Sequence, residues 1–74
     1  MRTVINPSNM DAIDWFDRTT QLFADVFPSL TLQEPDDWRT WAAAARRVQS
    51  QVPDPYQYAE WQDWASRFNL VMGM

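Results

Sequence analysis

Through the second half of the chain, apolar residues recur at three- and four-residue steps. Trp38, Trp41, Ala42, Ala45 and Val48 form one set, and Tyr58, Trp61, Trp64, Ala65, Phe68, Val71 and Met72 form another. That period puts each set on one face of an α-helix, with Arg39, Thr40, Arg46, Arg47 and Ser50 turned away from the first face. Earlier in the chain, Ile13, Phe16, Thr20, Phe23 and Phe27 make a comparable stripe, flanked by Trp15, Leu22 and Val26. This first helix is apolar around more of its circumference than a simple surface helix, which predicts a central position or a second partner.

Local signals set the expected bounds. Pro7 or Ser8 with Asp11 starts the first helix near Asn6 to Asn9, and Phe27-Pro28 stops it. Pro35 suits the first position of the second helix, where its missing N–H is unpaired anyway, and Asp36 and Asp37 complement the positive end of the dipole. Asp54-Pro55 repeats this start for the third helix, with Gln57 placed to complete a capping box and Gly73 expected as a left-handed terminator. The helices are therefore predicted over about 8–25, 35–51 and 55–72 of a single domain, 1–74. Thr3-Val4-Ile5 favours an extended arm, and Leu30 and Leu32 alternate as if the connector crosses an apolar surface in extended form.

Trp15, Trp38 and Trp61 lie 23 residues apart, each preceded by an acid (Asp14, Asp37, Glu60), so the chain reads as three passes of one unit. Passes two and three share a W-x-x-W-A block at Trp38 to Ala42 and Trp61 to Ala65. Pass one is degenerate, with Arg18 and Thr19 in place of the second Trp and the Ala. One helix and one connector cannot bury an apolar face alone, so three units must pack together. The predicted fold is all-α: a compact three-helix bundle with an extended N-terminal arm and an apolar C-terminal tail.

At 74 residues the chain is near the size at which a core alone supplies only a few kcal/mol. Five Trp, four Phe and two Tyr supply most of its buriable area, and there is no Cys to staple it. Most of these rings are expected to pack against Ala42, Ala43 and Ala65. Helices of this length should not enclose five indoles, however, which leaves one or more of Trp15, Trp38 and Trp61 near the surface as a partner anchor. Tyr56 and Tyr58, beside Pro53 and Pro55, form a second exposed aromatic cluster, and the segment Asn69 to Met74 is apolar for a chain end. The candidate partner contacts are thus Thr3, Val4, Ile5, Trp15, Tyr56, Tyr58, Leu70, Met72 and Met74. Docking by the two ends implies that deleting residues 1–5 and 70–74 abolishes assembly and spares helicity; the equal alternative is that both ends fold back over their own bundle.

Ten acids against six Arg give a net charge of -4, which works against binding nucleic acid or an anionic membrane directly. Arg46-Arg47 has two readings: cations complementing a helix C-terminus, or an anion site. The use of Arg without Lys suits bidentate contact with a partner's carboxylates, or reflects codon usage. No apolar run approaches the roughly 18–20 residues of a membrane span, and Met1 to Met10 lacks the apolar stretch of a signal peptide, so a soluble protein made in the cytoplasm is expected. Without His, Cys or Lys there is no Ser-His or Cys-His pair, no Schiff base and no imidazole or thiolate ligand. A single Gly precludes a Gly-rich phosphate cradle, and the acids follow helix starts and solvent faces. No catalytic, cofactor-binding or metal-binding residue is assigned.

The opening I-N-P (Ile5 to Pro7), the block from Asp36 to Ala42 and the closing stretch from Pro53 to Phe68 are spread through nearly the whole chain. In this combination the chain resembles the small all-helical proteins encoded with the virion structural genes of tailed bacteriophages. It departs from their pattern in carrying Gln62-Asp63 between the last two tryptophans, where a basic-acidic pair is more typical. The resemblance implies a minor, non-enzymatic structural or adaptor protein of the virion. Its partners would be other particle proteins, met in several copies within a symmetric assembly at the tail, fibre attachment, head–tail junction or capsid surface. A small acidic phage-encoded inhibitor of a host protein is the rival expectation.

Overall fold

The computed structural model describes residues 4–27 and 32–73. Three α-helices, α1 (Ala12–Leu22), α2 (Trp38–Val48) and α3 (Trp61–Met72), form an all-α fold, with no strand among the described residues. The Cα radius of gyration is 10.8 Å, close to the roughly 11 Å expected of a compact chain of this length. No helix among the described residues is long and apolar enough to cross a membrane.

Each helix is preceded by a single 3-10 turn led by proline: Pro7–Asn9, Pro35–Asp37 and Pro55–Gln57. The first and third are built alike. Asn6 Oδ1 accepts from the Ser8 N–H at 2.9 Å, and Asp54 Oδ1 accepts from the Tyr56 N–H at 3.0 Å. A short side-chain oxygen that satisfies the amide two residues on makes a turn rather than a helix start. The chain then extends at Met10 (φ −132, ψ 153) and at Tyr58 (φ −127, ψ 136). Both helices therefore begin later than the sequence signals place them: α1 after Asp11, whose Oδ1 caps the Asp14 N–H at 2.8 Å, and α3 only at Trp61. In the second unit Trp38 is already helical (φ −58, ψ −32), so that turn runs straight into α2.

Gly73 is also corrected. Its φ is −89, right-handed, so conformational freedom does not explain it. Space does: a Cβ built there would overlap the Val4 side chain and stand 2.7 Å from the Asn69 carbonyl oxygen. The N-terminal arm therefore lies against the end of α3.

The helix bounds re-register the repeat. Trp15, Trp41 and Trp64 each occupy the fourth position of their helix and are all buried. Phe16, Ala42 and Ala65 share the fifth position, and Thr19, Ala45 and Phe68 the eighth, again all buried. The structural counterpart of Trp15 is thus Trp41, and the 23-residue alignment with Trp38 is off by one helical turn. The same shift explains why Ile13, expected inside, is exposed, while Ala12, Trp15, Phe16 and Thr19 face the core. Val48, at the last turn of α2, is likewise exposed.

Trp64 is central. Its ring lies within 6.2 Å, centroid to centroid, of Trp15, Phe16, Trp38, Trp41 and Phe68, stacked on Phe16 and Phe68 and edge-on to Trp15 and Trp41. Phe23, Phe27, Leu32 and Val52 close the cluster from outside the three helices. These additions let helices of 11 or 12 residues bury four of the five indoles, leaving only Trp61 partly exposed. Ala42, Ala45 and Ala65, fully buried, give the rings room.

Each deeply buried indole N–H has an acceptor. Trp15 Nε1 donates to the Ile5 carbonyl (2.7 Å), Trp41 Nε1 to Thr20 Oγ1 (2.9 Å) and Trp64 Nε1 to the Pro53 carbonyl (2.9 Å). Thr20 Oγ1 itself donates to the Phe16 carbonyl at 2.7 Å. No buried side-chain nitrogen or oxygen among the described residues lacks a partner. Thr20→Val should therefore cost about 1–3 kcal/mol although it conserves shape, because it leaves the Trp41 N–H buried without that acceptor. Urea denaturation checks this; a variant as stable as wild type would show that the bond contributes nothing.

Candidate interaction surface

Several of the sequence-predicted contacts belong to the fold instead. Trp15 is fully buried, its ring edge-on to Phe16, Trp64 and Phe68 and its N–H committed to Ile5, so it is not a partner anchor. Ile5 is half-buried against the core, and its carbonyl accepts a second bond from Asn69 Nδ2 at 2.9 Å. Val4, also half-buried, meets Gly73. Val4 and Ile5 are thus held between α1 and α3, where one carbonyl satisfies two partly buried donors. Thr3 and Met74 lie outside the described residues, as does Leu30 of the connector. Met72 packs partly against the core, while Leu70, two residues earlier on the outer side of α3, is 63% exposed.

The tyrosine pair divides in the same way. Tyr58 packs against the core, and its carbonyl accepts from Arg39 Nη2 at 2.7 Å. Arg39, expected to point into solvent, also lies over the Trp38 ring at 4.5 Å and so ties α2 to the segment before α3. Tyr56 is 74% exposed, lifted outward by the 3-10 turn whose leading Pro55 is itself buried. Tyr56 and Leu70 are the most exposed large apolar side chains among the described residues.

Tyr56 stands at a groove of about 440 Å³ between the C-terminal turns of α2 and the third 3-10 turn, lined by Ala43, Arg46, Arg47, Ser50, Asp54 and Pro55 as well. The two arginines differ. Arg46 donates through Nε to the Val52 carbonyl at 3.2 Å, and its Nη1 lies 4.0 Å from Asp54 Oδ2. That pair is half open to solvent and contributes at most about 1 kcal/mol. Arg47 is exposed and makes no ion pair among the described residues. The groove thus joins an exposed aromatic ring, one tethered guanidinium and one untethered guanidinium. Its basic pair and its tyrosine were both visible in the sequence, but nothing in the sequence showed that the Asp54-Pro55 turn folds Tyr56 back beside the end of α2. The structure places no three His, Cys, Asp or Glu side chains together for a metal ion among the described residues.

In comparisons with protein-family models, curated proteins and solved structures, the chain matches none.

Proposed function

We propose that this chain is a non-enzymatic adaptor of a tailed-phage virion that docks onto other particle proteins through its surface. The observation that carries this reading is the contrast between interior and exterior. The buried indole N–H groups are all matched and the arm is clamped, yet Tyr56 and Leu70 are held out in solvent by well-formed turns and helix. An exposed tyrosine on a rigid scaffold, with arginines beside it, is of the kind enriched at the anchors of protein interfaces. The resemblance of the short blocks to small virion proteins sets the context, with repeated copies on a symmetric particle as the expected mode. Docking falls to the groove and the outer face of α3, in place of the terminal arm.

The test is incorporation. In cells infected by a phage lacking the gene, a Tyr56→Ser, Leu70→Ser double variant supplied in trans should fold with unchanged circular dichroism. It should appear in purified particles at roughly a tenth of the wild-type level or less, the loss of about 1.4 kcal/mol or more expected of removing two anchors. Wild-type incorporation of the double variant would refute docking through these side chains.

A further inference from the structure

The geometry points to an acidic, extended segment of a partner protein as the occupant of the groove between α2 and the third 3-10 turn. This deepens the adaptor reading and rests on it. Charge complementarity selects the occupant. On a chain of net charge -4, Arg46 and Arg47 are the adjacent basic pair, and both line the groove. Arg47 has no ion pair among the described residues, and Arg46 is fixed at Nε by Val52, which orients the rest of its guanidinium. With Arg46 partly committed to Val52 and Asp54, it is the planar guanidinium of Arg47 that offers two parallel N–H groups to a carboxylate. The volume of about 440 Å³ falls in the 300–1,000 Å³ range of binding pockets, and the exposed ring of Tyr56 gives apolar side-chain stems a surface to lie on.

Two features of the same groove argue against a compact anion. Asp54 projects into it beside Arg46, and the C-terminal carbonyl end of α2 carries partial negative charge. A multiply charged phosphate at the centre would meet both. A peptide spreads single charges along the rim, reaching Arg47 first, and keeps its backbone over Tyr56 and Ala43.

The test titrates the full isotope-labelled chain with an N-acetylated, C-amidated tetra-glutamate peptide, its tetra-glutamine counterpart and inorganic phosphate, followed by amide chemical shifts. The glutamate peptide should shift Ala43, Arg47, Ser50 and Tyr56 selectively, and its affinity should fall about tenfold between roughly 50 and 300 mM salt. Arg47→Glu should weaken it by about tenfold or more, while Arg18→Glu and Arg67→Glu, on other exposed surfaces, change it less than about twofold. Several results would overturn the assignment: equal binding of the glutamine peptide, shifts spread evenly over all arginines, saturation by phosphate at equal affinity, or groove shifts on concentrating the chain alone, which would make a second copy the occupant. Any of these leaves the adaptor reading to stand or fall separately on incorporation into particles.

Discussion

A Trp64→Ala chain should melt about 12–40 °C below wild type, with helical circular dichroism and near-ultraviolet aromatic signals lost together. The expected loss is about 3–5 kcal/mol for the ring alone, from a domain whose whole stability at this size is on the order of 4–11 kcal/mol. The ring sits at 0% exposure among five other aromatic rings on all three helices, so no neighbour moves to fill its place without leaving another gap. Its N–H also holds the Pro53 carbonyl, and with it the turn that positions Tyr56. Trp64→Phe separates the two effects. It keeps most of the packing and leaves the Pro53 carbonyl without its donor, for a smaller loss of about 1–3 kcal/mol. A Trp64→Ala chain that melts within a few degrees of wild type would show that the aromatic cluster is not the source of cooperativity.

Removing residues 1–5 should lower the melting temperature by about 8–32 °C rather than leave the bundle indifferent. One deletion takes away the acceptor of two bonds, Trp15 Nε1 and Asn69 Nδ2, and the apolar cover that Ile5 and Val4 give the core and Gly73. Two donors deprived of their partner and the lost burial together cost about 2–4 kcal/mol, and each kcal/mol shifts the midpoint of a domain this small by about 4–8 °C. Asn69→Ala, which removes one donor and leaves Trp15 satisfied, should cost less than half as much. A truncated chain with an unchanged melting curve would mean that the arm is a free docking element after all.

Helix number, the apolar faces of α2 and α3 and the all-α class followed directly from periodicity, because a 3.6-residue repeat of large apolar side chains has few other solutions. What the spacing of tryptophans concealed was register. Trp15 and Trp38 align by identity, but the helix of the first unit begins three residues before its Trp, whereas that of the second begins at its Trp. An extended residue follows the Asn-Pro and Asp-Pro turns of units one and three, at Met10 and Tyr58, and is absent from unit two. Yet the helix of unit three, like that of unit two, begins at its first Trp.

A second signal was present but harder to interpret. Ile5 precedes Asn6-Pro7 as Pro53 precedes Asp54-Pro55, and each carbonyl receives the indole N–H of the Trp buried in the following helix. A carbonyl has no side-chain signature, so a bond over ten or eleven residues to a backbone oxygen is invisible to pattern. The same limit hid the role of Arg39, which spacing alone placed in solvent. The candidate site was half legible: Tyr56, Leu70 and the arginine pair stand out in the sequence, while Trp15 is among the tryptophans expected near the surface and Ile5 stands between docking and folding back. The Trp15 N–H and the Ile5 carbonyl have internal partners.

The proposed adaptor role is most directly tested by quantitative mass spectrometry of density-purified particles of the phage that the proposal implies as its source, following the tryptic peptide Val48 to Arg67. A fixed copy number relative to the major capsid protein, in a ratio compatible with the particle's symmetry, is the predicted result. Absence from particles while the chain is abundant in infected cells would contradict it and favour an inhibitor of a host protein.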